Sequence, residues 1–204
     1  MRHHDDAGVT LMELLVCIAI MSIVSVALAS AFVAANKSIT KSGYLMDDSH
    51  DGQIAASYFT TDVESADSIS TAAYPSCSAG TPLISFTWHG WDQSHNPPVE
   101  IQKVAVYRVV EPVNPGDERQ LVRQYCEGVN SSSVTPVSST VIAHNLKPGG
   151  GAADPAVTCF SAVPVSVTCD SSIASAQLVG TARSQMSDDN VFFTYTVRAT
   201  RRLP

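Results

Sequence analysis

The chain has 204 residues, a formal net charge of −7, 15% charged and 45% hydrophobic residues, and five cysteines. The length allows one anchor and one domain of roughly 140–165 residues, large enough to bury its own core. The acidic balance leaves no basic footprint for nucleic acid, and Arg198, Arg201 and Arg202 near the C-terminus read as a solvated strand end.

In chain order, Met1 to Gly8 form a polar leader, MRHHDDAG, too short and too polar for a secretory signal with its own apolar core. From Leu14 to Ala35 run 22 residues with neither charge nor proline. At 1.5 Å per residue this is enough to cross the roughly 30 Å hydrocarbon core of a bilayer. Glu13 stands at the edge of that run. A carboxylate costs roughly 2.5–3.5 kcal/mol at the centre of an inserted helix, so Glu13 is a functional candidate whose partner is expected outside this chain. Flanking charge does not orient the span: Arg2 is opposed by Asp5 and Asp6, and Lys37 and Lys41 follow it.

Gly8-Val9-Thr10-Leu11-Met12-Glu13, placed directly before a spanning helix, resembles the type III signal of type IV prepilins and pseudopilins. The resemblance implies cleavage by prepilin peptidase after Gly8, N-methylation of Val9, and a role in assembly for Glu13, the fifth residue of the mature chain. In a filament, Glu13 would neutralise the N-terminal amine of a neighbour, converting two costly buried charges into one pair. The implied partners are prepilin peptidase, other pilin or pseudopilin subunits, a membrane assembly platform and the lipid bilayer. The implied topology is a short cytoplasmic leader with an extracytoplasmic head. Many major pilins carry a helix proline; here the first proline is Pro75, which points toward a minor subunit. A major or competence pilin, an unprocessed signal anchor, and a bitopic membrane-anchored binding domain are the alternatives.

Between Gly43 and Ile69 the residues Ala55, Tyr58, Phe59, Asp62, Val63 and Ala66 recur at helical spacing, predicting an amphipathic continuation over 36–70. Asp62 reads as a helix-surface acid, although Thr-Asp-Val-Glu-Ser-Ala also resembles the charged half-helix of J-like minor pseudopilins. Beyond it, β-branched and aromatic runs at 83–88, 103–110, 120–126, 137–143, 157–160, 165–169, 173–181 and 191–200 are separated by turn residues and read as strands. The expected class is α+β and pilin-like: a long N-terminal transmembrane and amphipathic helix packed on a mainly antiparallel β-sheet head. The expected divisions are leader 1–8, transmembrane helix 9–35, continuation 36–70 and head 71–204. Residues 131–133 and 148–155 read as exposed loops.

Cys17 lies within the apolar run. Cys77, Cys126, Cys159 and Cys169 fall in the head, an even number suited to two disulfides in an oxidising compartment. Three connectivities are open; Cys159–Cys169 across a hairpin or loop, with Cys77–Cys126, is preferred. No hydrolase, zincin or P-loop motif is present, and neither catalysis nor a cofactor is expected. His89, Asp92 and His95 fit no common metal spacing and read as part of a hairpin loop before Asn96-Pro97-Pro98, with Trp91 there a candidate protein contact. Ser187-Asp188-Asp189-Asn190 reads as a turn in preference to a calcium loop.

Overall fold

The computed structural model describes residues 10–74, 76–78, 80–114, 118–146, 155–162, 165–170, 172–183 and 192–202. One α-helix, α1 (Leu11–Ser65), precedes nine strands: β1 (Ser68–Ser70), β2 (Ile84–Asp92), β3 (Val99–Val110), β4 (Arg119–Gly128), β5 (Thr135–Leu146), β6 (Ala156–Phe160), β7 (Ser166–Val167), β8 (Ser175–Arg183) and β9 (Phe192–Thr200). The chain divides into two compact units, Met1–Tyr44 and Leu45–Pro204.

In the first unit the helical residues Leu11–Gly43, 33 in number, are long and apolar enough to cross a membrane, and all of them are exposed. Several hydroxyls in this stretch are satisfied within the helix. Ser25 donates to the Met21 carbonyl at 2.7 Å, Ser30 to Ala27 at 2.8 Å and Thr40 to Asn36 at 2.9 Å. Such internal pairing is what a lipid environment demands of polar groups.

In the second unit α1 buries Ala55, Phe59, Asp62 and Val63, a stripe at helical spacing that Ala66 continues just past the helix end. Tyr58, expected in that stripe, is instead 37% exposed, with the Arg123 guanidinium 4.9 Å from its ring centroid. The helix predicted to reach residue 70 stops at Ser65. Its last turn tightens through Ala66 N–H to the Val63 carbonyl, and Asp67 N–H is taken by the Thr87 carbonyl at 2.8 Å, so the chain leaves the helix to pair with β2.

The strands form one sheet in the order β1-β2-β3-β4-β5-β8-β6-β7, with β9 also on β8 and every pairing antiparallel. β5 joins β8 at the single register position Leu146↔Ala182, while β9 pairs with β8 along its whole length. Pro136 is accommodated within β5 beside a register shift opposite Tyr125 and Cys126, the kind of bulged position to which strand prolines are confined. Gly180 faces its cross-strand partner Tyr195 so closely that a Cβ would collide with the phenol ring.

The two faces of β2, β3 and β4 hold separate clusters. On the helix side, Phe59, Phe86 and Tyr107 meet edge-to-face in all three combinations, with centroids 5.6–5.8 Å apart. On the opposite face, Cys77, Val104, Val106, Cys126 and Val134 make a smaller cluster with Tyr74 against it.

Asp62 corrects the surface-acid reading. It is 1% exposed and accepts two hydrogen bonds from Arg123, Nε to Oδ2 at 2.6 Å and Nη2 to Oδ1 at 2.7 Å, plus one from the Tyr107 hydroxyl at 2.7 Å. A bidentate guanidinium–carboxylate fork is the geometry in which a buried pair offsets most of its desolvation cost. Burial pulls the Arg123 pKa down, but the hydrogen bonds and charge of Asp62 push harder and the net shift is upward. Burial, then the neighbouring Asp62 charge, raises the Tyr107 phenol well above its usual value. Burial and the hydrogen bond to Glu127 raise Tyr125, and burial raises Tyr74.

Of the three arginines near the C-terminus, Arg198 and Arg202 are exposed, as a solvated strand end predicts, and Arg201 differs from that expectation. Arg201 is partly buried and donates from Nε to the Ala66 carbonyl at 2.7 Å and from Nη2 to the Asp67 carbonyl, placing a cation at the C-terminal end of α1 where the helix dipole favours it. Arg202 pairs with Glu64 at 2.8 Å, and the Arg198 guanidinium lies 4.5 Å from the Phe160 ring centroid.

Two outcomes follow. Asp62→Ala leaves Arg123 charged and unpaired and should cost about 3–5 kcal/mol, whereas the apolar replacement Asp62→Leu/Tyr107→Phe/Arg123→Met should recover most of that stability in urea unfolding. The raised phenols also fix a pH dependence. Unfolded tyrosine titrates near 10, so above about pH 10 the unfolded chain releases protons that the folded head retains, and stability falls as pH rises. Their contribution is fully present below that pH. An absorbance titration should find Tyr74, Tyr107 and Tyr125 ionising above the usual phenol range, together with loss of near-ultraviolet dichroism.

Candidate assembly site at the N-terminus

Thr10 precedes the first helical residue, and its Oγ1 accepts the Glu13 backbone N–H at 3.3 Å, while Leu14 N–H bonds the Thr10 carbonyl at 3.2 Å. Thr10 is therefore the N-cap and Glu13 the third residue of the helix, the positions of Ser/Thr and Glu in a capping box. The Thr-x-x-Glu spacing is itself a capping-box signal in the sequence. A carboxylate in the first turn is favoured by the helix dipole, so Glu13 is suited to this position before any partner arrives. Its side chain is exposed, and no ion pair or side-chain hydrogen bond reaches it among the described residues. Around it Leu11, Met12, Leu14, Leu15 and Ile18 are likewise exposed. The arrangement is one acid at the start of an uncovered apolar helix. Gly8 and Val9 lie outside the described residues.

The remaining candidates are dispersed. Cys17 is exposed and unpaired. Cys77 pairs with Cys126, Cα atoms 5.7 Å apart, stapling the segment before β2 to β4; Cys159 pairs with Cys169, Cα atoms 5.2 Å apart, across the β6–β7 connection. Trp91, placed on a loop by the sequence reading, belongs to β2 because the ribbon continues in register to Asp92↔Val99. His89 binds Asp67, and His95 binds Asp92, so the three residues do not converge on one point. Asp92 is held below its usual pKa by the Ser94 hydroxyl and backbone N–H. No group of three metal-ligating side chains occurs among the described residues. Gly149 to Gly151 and Ser187 to Asn190 lie outside them.

Non-reducing peptide mapping should return a Cys77–Cys126 and a Cys159–Cys169 linked peptide, with Cys17 alkylated without reduction. Cys126→Ser with Cys77→Ser should lower stability by about 2–4 kcal/mol.

Residues 3–29 match the family model of the prokaryotic N-terminal methylation motif. No curated protein and no solved structure matches the chain. The matched segment contains Gly8, Val9, the Thr10 cap and Glu13, together with much of the uncovered apolar helix. The chain carries the N-terminal motif of the type IV prepilin and pseudopilin superfamily, joined to a pilin-like α+β arrangement of long apolar helix and antiparallel sheet.

Proposed function

We propose that this protein is a minor structural subunit of a type IV pilus or a type II secretion-type pseudopilus. Prepilin peptidase removes the leader 1–8 at Gly8, the new N-terminus at Val9 is methylated, and the span 9–35 holds the subunit in the membrane until assembly. The leader is cytoplasmic and the head beyond residue 70 extracytoplasmic; two disulfides in the head agree with an oxidising compartment. The observation that carries the reading is Glu13: an exposed carboxylate in the first turn of an apolar helix, for which no described side chain supplies a partner.

Cleavage at Gly8 creates an amine four residues from Glu13. Within one helix the two groups start at the same end, so pairing between adjacent subunits satisfies both and fixes their axial register. The chemistry required of the chain is recognition and packing, with no bond made or broken by its own side chains. The minor role rests on the absence of proline before Pro75 and on the argument that a capping or initiating subunit needs complementary surfaces to fewer partners than a shaft subunit.

Gly8→Val should abolish cleavage while leaving membrane insertion intact, read by intact mass and N-terminal sequencing. Glu13→Ala should be processed normally yet enter sheared filaments at a small fraction of the parent level. Undiminished incorporation would remove the role assigned to Glu13. Abundance equal to that of the main pilin would reassign the chain as a major subunit.

A further inference from the structure

The β2–β3 ribbon presents two different faces. Trp88 turns to the helix side, where its ring stacks on Tyr125 with centroids 6.0 Å apart. Trp91, three residues on, turns the other way and is 61% exposed. His89 shares its face by strand alternation, and the register places Glu100 opposite Trp91 and Gln102 opposite His89. Neighbours along a strand face are about 6.5–7 Å apart and across the ladder about 5 Å apart. The four side chains therefore frame a patch with the footprint of one pyranose ring.

The chemistry of the frame is one-sided. The His89 backbone N–H and Nδ1 both bond Asp67 Oδ2 at 2.9 Å. A carboxylate only accepts, so Nδ1 carries a proton, and in the Nδ1–H tautomer the Nε2 that faces away from Asp67 is an acceptor. Glu100 offers a carboxylate and Gln102 an amide oxygen, neither bonded to another described side chain. Lys103, the adjacent cation, lies on the opposite face and pairs with Glu127 at 3.6 Å. The patch thus combines a flat π surface with three hydroxyl-accepting groups and a negative charge. That set repels phosphate and sulfate. It also lacks the second apolar anchor around which protein hot spots cluster.

We propose that this face binds a neutral saccharide. The electron-rich face of the Trp91 indole stacks on the weakly positive C–H face of a sugar ring, while His89 Nε2, Glu100 and Gln102 accept hydrogen bonds from its hydroxyls. Asp67 positions the His89 ring. The inference does not depend on the role of Glu13.

The test uses the full chain in an amine-oxide detergent, which has no sugar headgroup to compete, titrated by calorimetry and tryptophan fluorescence. The probes are cellohexaose, chitohexaose, mannohexaose and a heparin hexasaccharide. At least one neutral probe should bind with a dissociation constant of about 1 mM or tighter and shift the emission of the exposed tryptophan. Trp91→Ala should weaken it at least about tenfold with an unchanged melting temperature, and Trp91→Tyr should retain part of it. Gln102→Ala should weaken it severalfold. The proposal is overturned if none of the neutral probes binds, if binding survives Trp91→Ala undiminished, or if heparin is preferred.

Discussion

The residues of α1 from Leu11 to Gly43 form a run long and apolar enough to cross a membrane, and all of them are exposed, a surface that water solvates poorly. Its backbone is satisfied internally, and so are the hydroxyls of Ser22, Ser25, Ser30 and Thr40. What is missing is only a medium or a set of neighbours for its surface. Lipid supplies one solution and the helices of other subunits supply another. Movement between the two is the transition that a stored, then assembled, filament subunit must make. In the proposed subunit, Glu13 is the acid that would distinguish the two environments. It is costly deep in hydrocarbon and is stabilised wherever a neighbouring amine is available.

The second unit holds its portion of α1 by different means. Apolar packing through Ala55, Phe59, Val63 and Ala66 supplies the bulk of the contact, but it is compatible with sliding or rotation. The Asp62–Arg123 fork with Tyr107 admits one register only, since a shift of one residue would leave three charged or polar groups buried without partners. Arg201 adds a second tie, from just past β9 to the carbonyls of Ala66 and Asp67 that follow the helix. His144 adds a third: its backbone N–H and Nδ1 both reach the Asp51 carboxylate. The head therefore holds its helical segment by polar contacts at Asp51, Asp62 and Glu64 within the helix and at Ala66 just past its end.

Much of this was legible in the sequence, and the remainder was not for identifiable reasons. The apolar run and the period-two segments depend on local pattern, and all eight predicted strands have counterparts, although β7 shrinks to two residues. β1, three residues long, carries too little pattern to be seen. Asp62 was misread because its partners lie 45 and 61 residues away, and helical periodicity carries no information about a side chain on β4. The end of α1 was misplaced because its stop signal is the Thr87 carbonyl on another element. Trp91 was assigned to a loop because Asn-Pro-Pro signals a turn without fixing where the strand before it ends.

The central claim is that Glu13 meets the N-terminal amine of an adjacent subunit. A zero-length carbodiimide cross-link on filaments assembled from a mixture of light and isotopically heavy subunits tests it directly. Coupling should produce a peptide joining Glu13 of this chain to the N-terminal residue of another subunit, or Val9 to the corresponding glutamate of its neighbour, in an intersubunit isotope pattern. Filaments that contain the processed chain but yield no such peptide, under conditions in which the other subunits cross-link at their own N-termini, would contradict it.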